Sequence, residues 1–194
     1  MGALDWSIAH RRCDDGTVNT SELAADIDAA CRLSGTFTLR SGLTSEEYFD
    51  KYLFESDPKL LNRVAAAMVS LLPAGTDLVG GLELGGVPLA TVVSQMTGLP
   101  ALFVRKQAKE YGTRRVAEGV VDIVGRTVTL IEDVITTGGA VRQAALSLRA
   151  QGAHVTSVVC AIDRSDGSPS ALVDVDLAVH AVLTRTDLDA ARPR

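Results

Sequence analysis

The chain has little of what a membrane protein, a metalloprotein or a nucleic-acid binder needs. Of its 194 residues three are cysteines, Cys13, Cys31 and Cys160, far apart and without a C-x-x-C pair. An odd, scattered set argues for free thiols in a reducing cytoplasm. The three histidines, His10, His154 and His180, show no H-E-x-x-H or other ligand spacing, so no metal-binding residue is expected of the protein itself. No apolar run approaches the roughly 18 residues of a membrane helix, and no signal-peptide core is present. A net charge of −5 speaks against a nucleic-acid partner. No G-x-x-x-x-G-K-[ST] occurs, which removes a P-loop nucleotide site. The glycine-rich run Gly80–Gly86 does not match G-x-G-x-x-G, which removes a dinucleotide fingerprint.

What remains is an ordinary globular composition, 46% hydrophobic and 22% charged. A chain of this length is most simply one domain that buries roughly 70% of its unfolded surface. Residues up to Asn19 have little periodicity and read as an extension that docks weakly or stays disordered. Thr20 or Ser21 caps a helix with Leu23, Ile27, Ala30 and Cys31 on one face and Gly35 as its stop. Phe37–Leu39 is a short strand. Asp57 as N-cap and Pro58 at the first position start a helix with a wide apolar face from Leu60 to Leu72, ended by Pro73. From Leu78 onward strands and helices alternate. The strands are Leu78–Val79, Leu102–Val104, Val120–Val124, Val128–Ile131, Val155–Ile162 and Asp176–Leu183. Helices lie at Val87–Thr97, ended by Gly98, and after Ala140, and a short charged tail closes the chain. The pattern predicts an α/β fold with a central parallel sheet flanked by helices.

The stretch from Val128 to Gln151 carries the most chemistry. An aliphatic strand runs into Glu132 and Asp133, then a Thr/Gly turn, then a helix with Val141, Ala144, Ala145 and Leu148 on one face. Free N–H groups at a helix start, reached through threonine and glycine, make an anion site. A bare phosphate would be repelled by two carboxylates, whereas a ligand with hydroxyls or a metal beside its phosphate suits them. The plainer alternative is a strand end with two solvated acids.

A second stretch, Arg105 to Arg115, holds five cations in eleven residues of an acidic chain that has four lysines in all. Such a run is read either as a solvated face or as a mobile cationic loop. It follows a strand end, contains Gly112 and opposes the net charge, which suits covering a polyphosphate and neutralising a leaving pyrophosphate. Arg164 follows another strand end, on the edge where open α/β sheets bind ligands. It is either a ligand-holding guanidinium or a surface arginine paired to Asp163 or Asp166.

Ile131-Glu-Asp-Val-Ile-Thr-Thr-Gly-Gly139 resembles the phosphoribosyl pyrophosphate (PRPP) signature of type I phosphoribosyltransferases. Phe37-Thr-Leu-Arg-Ser-Gly42 followed by Tyr48-Phe-Asp50 resembles the N-terminal hood of orotate phosphoribosyltransferases, and Arg105-Lys106-x-x-Lys109 resembles their flexible-loop motif. The resemblance spans roughly Gly35 to Arg164. It implies one phosphoribosyltransferase domain, with an extension at 1–19, a hood at 20–56 and an α/β core at 57–185. It implies transfer of ribose 5-phosphate from PRPP to orotate with Mg2+, giving orotidine 5′-monophosphate and pyrophosphate for pyrimidine biosynthesis.

By the same resemblance, Val134, Ile135 and Thr136–Ala140 (with Thr137, Gly138 and Gly139 between) cradle the 5-phosphate, and Glu132 and Asp133 hold the ribose hydroxyls. Arg105, Lys106 and Lys109 stabilise the pyrophosphate. Arg40 helps hold the pyrophosphate-bearing substrate, Tyr48 and Phe49 wall the base pocket, and Arg164 holds the nucleobase side. Lys106, Glu132 and Asp133 carry catalysis. Tyr111 stands where the family often has histidine, and Gly85 where some members have lysine. The implied assembly is a homodimer sharing the cationic loop. On the sequence alone two readings stay open beside this one: transfer to another base, since the signature binds the sugar, and a non-catalytic regulator that senses PRPP.

Overall fold

Asn19, rather than Thr20 or Ser21, caps the first helix, α1 (Thr20–Cys31): its side chain accepts from the N–H groups of Ser21 and Glu22. This computed structural model describes residues 18–38, 42–106, 116–120, 122–165 and 172–192. Helix α1 ends before the expected stop at Gly35. The Arg32 guanidinium binds back to Asp28 and the Arg32 N–H donates to the Asp28 carbonyl, and the chain then extends directly into β1 (Arg32–Thr38). Strand β2 (Thr44–Phe49) pairs antiparallel with β1, Arg32 opposite Phe49, with a bulge between Ser34 and Phe37. A short helix, α2 (Tyr52–Ser56), follows where no element was expected. The expected cap holds at α3 (Pro58–Val69), where the Asp57 side chain accepts from Lys59 and Leu60. That helix ends before Pro73, and Leu71 and Leu72 pack half-buried from the turn beyond it.

Strand β3 (Leu78–Leu82) is longer than its sequence suggests, taking in Gly80 and Gly81. These glycines allow close packing between β3 and the start of the following helix. A Cβ on Gly81 would stand 2.5 Å from the Gly86 carbonyl and 2.7 Å from Ala90 Cβ on α4 (Gly86–Thr97). The loop between them shrinks to 83–85. Gly98, at φ 76°, ends α4 as expected. Strand β4 (Ala101–Val104) pairs antiparallel with β5 (Ala117–Gly119). The return strand thus lies earlier than 120–124, because Gly119, at φ 100°, turns the chain out of the sheet.

The central strand, β6 (Thr127–Ile135), does not stop at Ile131. Its neighbour β3 pairs with it only as far as Gly81 opposite Ile131, but β7 (His154–Asp163) continues to Ile135 opposite Asp163. Glu132 and Asp133 therefore sit inside a strand whose β3-facing edge has come free. Helix α5 (Gly139–Arg149) buries Val141, Ala144, Ala145 and Leu148, the face its spacing predicts. Strand β8 (Ala178–Thr184) is followed by α6 (Arg185–Ala190), where a tail was expected; Thr184 and Asp187 close a capping box on it.

The main sheet runs β5-β4-β3-β6-β7-β8, parallel except at β5, with helices around it, and β1–β2 forms a separate hairpin. From β3 the chain crosses to β4 on one side, and from β6 to β7 and β8 on the other. The order reverses between β3 and β6, so the crevice beyond their carboxyl ends is the expected ligand position. Among the described residues no helix is long and apolar enough to cross a membrane.

Candidate active site

Three elements meet at the reversal point. From β6 comes Asp133, whose carboxylate is fully buried, with Glu132 half-buried beside it. The β3–α4 loop brings Gly85 up against that carboxylate: a Cβ on Gly85 would overlap Asp133 Oδ2 and stand 2.6 Å from Glu55 Oε1. From the hairpin side, Lys51 extends its ammonium into an ion pair with Asp133, while Glu55 follows one turn later on α2. The Val134 N–H donates to Asp133 Oδ1. Both acids foreseen from the sequence are in place, but they are enclosed rather than solvated.

The charges in this cluster depend on one another. Burial raises Glu132 to about 10, and the adjoining Asp133 carboxylate adds to the effect. Burial and Asp133 likewise raise Glu55 to about 8. Burial opposes ionisation of Asp133 as well, yet Glu132 and Lys51 close to it hold it below the usual carboxylate range. Burial also opposes the charge on Lys51, but Asp133 outweighs it and keeps the ammonium charged above lysine's ordinary range. In the free protein near neutral pH, Asp133 is the anion, Lys51 its counter-ion, and Glu132 and Glu55 hold protons. Glu132 Oε2 is buried and has no hydrogen-bond partner among the described residues, which leaves it available to an incoming hydroxyl.

Next along β6, Thr136, Thr137, Gly139 and Ala140 are exposed around the start of α5. Gly138 adopts φ 75° with Leu172 packed against it, so its backbone makes the turn that lets the α5 amides face outward. Val134 is half-buried and Ile135 is in the core, so from Ile135 only backbone is offered to a ligand. Beyond β4, Arg105 is half-buried and Lys106 exposed, and the Lys106 N–H donates to Glu83 Oε2 at 3.0 Å. A cavity of about 480 Å³ is lined by Glu83, Arg105, Lys106 and Ala140, which joins the start of the cationic segment to the start of α5. Lys109, Tyr111 and Arg40 lie outside the described residues.

On the other flank the Arg164 N–H donates to the Ile135 carbonyl, and its guanidinium lies 5.4 Å from the centroid of the Phe49 ring. Tyr48, pointing to the other face of the hairpin, packs on Phe37 with ring centroids 5.5 Å apart. Tyr48, Phe49 and Arg164 border a cavity of about 430 Å³ together with Arg32, Arg185 and Arg192. Four arginines line this cavity together with Glu47, which pairs with Arg32 and Arg192.

Sequence reasoning missed Lys51, Glu55, Glu83, Arg185 and Arg192. The first two carried a faint signal: Lys51 is one of only four lysines, follows Tyr48-Phe-Asp50 directly, and stands four residues before Glu55. Among the described residues no cluster of three or more histidine, cysteine or acidic side chains has metal-holding geometry.

Comparison with known proteins places this geometry in context. The family described as Phosphoribosyl transferase domain matches residues 55–176. The chain is 69% identical over 170 residues to an orotate phosphoribosyltransferase of Nocardioides sp., covering 88% of this chain and 94% of that protein. It is also similar in structure to the orotate phosphoribosyltransferase of Mycobacterium tuberculosis. In the complex with Fe(III) dicitrate the TM-score is 0.77 at 31% identity, covering 87% of this chain and 98% of that one. In the complex with 5-phospho-α-D-ribosyl 1-diphosphate it is 0.73 at 27% identity, covering 88% and 98%.

Proposed function

Because the chain belongs to the phosphoribosyl transferase family, and within it to the orotate phosphoribosyltransferases, we propose that it transfers ribose 5-phosphate from PRPP to orotate. It is a pentosyltransferase of nucleotide metabolism. The observation that carries the reading to the level of residues is the buried Asp133 with half-buried Glu132 beside it, one strand-turn away from an exposed helix start. A sugar phosphate needs both at that separation, since hydroxyls and phosphate make opposite electrostatic demands.

The ring nitrogen of orotate attacks C1 of the ribose as the C1–oxygen bond breaks, and pyrophosphate departs with the bonding electrons. The α5 amides and the threonines at 136 and 137 hold the 5-phosphate. Glu132 and Asp133 take the ribose hydroxyls, and the negative charge of Asp133 favours the cationic sugar at the transition state. Arg105, Lys106 and Lys109 neutralise the departing charge. Arg164, over Phe49, takes the orotate carboxylate through its planar fork. Mg2+ would accompany PRPP and neutralise part of its pyrophosphate charge, with Glu132 and Asp133 beside the ribose and few direct ligands from the protein. A cytoplasmic homodimer sharing the cationic segment between subunits completes the proposal.

The test mixes protein, Mg2+ and PRPP with orotate, and separately with each purine base. Loss of orotate ultraviolet absorbance, giving stoichiometric pyrophosphate, is expected. Consumption of a purine alone, or PRPP binding with no turnover of any base, overturns the reading.

A further inference from the structure

We infer that Lys51 is a positioning residue for the transfer: the hairpin side of the molecule carries it across the crevice, where its ammonium fixes the direction of the Asp133 carboxylate. This rests on the proposed function for its meaning and on the cluster's geometry for its argument.

Asp133 is 0% exposed, so water cannot orient it or share its charge. A buried carboxylate with neutral donors alone would keep an uncompensated charge out of water, at considerable cost. Among the described residues the Val134 N–H donates to Oδ1 and the Lys51 ammonium, the one cation in the cluster, pairs with Oδ2, while protonated Glu132 and Glu55 adjoin the carboxylate. The β3–α4 loop cannot substitute for Lys51. Its closest point is Gly85, whose Cα lies so near Asp133 that no side chain fits between them. The cation must come from the opposite wall, and the fold sends Lys51 from there.

Lys51 is itself held firmly. The Asp50 N–H donates to the Cys31 carbonyl at 2.8 Å, tying the preceding residue to the end of α1. The Asp50 side chain accepts from the Tyr52 N–H at 3.1 Å, and the Asp50 carbonyl accepts from Leu53 at 3.2 Å. These bonds set the direction in which Lys51 leaves the backbone. The Tyr52 ring, 5.3 Å from the ammonium, flanks it on a further side. The Lys51 side chain remains 32% exposed against 0% for Asp133, so the lysine closes the carboxylate off from solvent at the mouth of the crevice. An ammonium so placed holds one carboxylate oxygen back and leaves the acid facing the sugar position in one orientation. This is preorganisation supplied by a residue outside the β6 signature.

A double-mutant cycle tests this on the full chain, with Lys51→Met, Asp133→Asn and the pair. If Lys51 acts through Asp133, Lys51→Met lowers kcat by about 10- to 10²-fold. KM for PRPP then changes by less than about 3-fold, and the same lysine change costs little more once Asp133 is already Asn. Lys51→Arg, keeping the charge, recovers most of the loss. Thermal unfolding of every variant, and calorimetric binding of Mg2+–PRPP, supply readouts that need no turnover. Multiplying effects in the double variant, or a Lys51→Met enzyme within about 3-fold of the parent kcat, overturns the assignment. Should Lys51→Met fail to fold, Lys51→Gln takes its place in the same cycle with the same outcomes. Failure of the parent chain to turn over orotate would instead contradict the proposed function, so the two failures are told apart.

Discussion

Gly85 and the Asp133 carboxylate compete for one place: a Cβ on the glycine would overlap Asp133 Oδ2. A lysine there, as in the pattern some family members follow, could not coexist with Asp133 in its present position. The cation is found instead on Lys51, reaching the same oxygen from the other wall.

Gly85→Ala follows as the smallest steric probe. The methyl group must displace the carboxylate or the loop, so kcat is expected to fall by about 10-fold or more, the scale of one misplaced catalytic contact. The far-ultraviolet spectrum should be retained. A Gly85→Ala enzyme with parental kcat would show that Asp133 need not stay where it lies.

Lys106→Ala should separate chemistry from folding. The side chain is exposed, and the described contact of this residue, to Glu83, is made by its backbone N–H, which alanine keeps. Turnover is expected to drop by about 10²-fold with a change in Tm of a degree or two at most. Loss of thermal stability with activity retained would contradict the leaving-group role.

Glu55→Gln makes a prediction about pH and stability. Glu55 rises from its ordinary 4.5 to about 8 through burial and the neighbouring Asp133. Between those values the unfolded chain releases a proton that the folded chain keeps, so stability falls as pH rises. Below 4.5 both states hold the proton and above about 8 both have lost it, so the slope vanishes at either end. Glutamine cannot ionise and escapes that loss. Its Tm relative to the parent should climb from pH 4.5 to pH 8 and then level off, as scanning calorimetry across that range would read. A difference that shrinks with pH would place the proton elsewhere.

Arg164→Gln tests the base side independently of the sugar side. Its guanidinium lies over Phe49 and borders the arginine-lined cavity, whose lining includes none of Lys51, Glu55, Glu132 and Asp133. KM for orotate should rise by about 10-fold or more, as for loss of a charge-assisted hydrogen-bonded pair, with KM for PRPP nearly unchanged. A rise confined to PRPP would reassign the residue.

Much of this was legible in the chain itself. The apolar spacing of Val141, Ala144, Ala145 and Leu148 marked α5, Asp57-Pro58 marked the start of α3, and the Glu132–Gly139 run marked two acids followed by a small-residue turn into a helix before any strand order was known. These are local properties: a helix face, a cap and a turn are written within a few residues. The ends of elements were read less well. Nothing near Ile131 says that β7 will go on pairing with β6 after β3 has stopped, because that is decided by a strand some thirty residues away. The helix after Thr184 was passed over because its apolar content is a single buried leucine, Leu188.

By itself the sequence determined which chemistry is present: two adjacent acids, a Thr/Gly turn at a helix start, a cationic run and a strand-end arginine, each encoded by contiguous residues. The tertiary structure decided what state that chemistry is in. Burial of Asp133 between Gly85, Glu55 and Lys51 brings together residues from β6, the β3–α4 loop and the hairpin side of the fold. Charge, protonation and direction depend on desolvation and on neighbours across space. That is why the ion pair between Lys51 and Asp133 could not be read from either residue's surroundings in the chain.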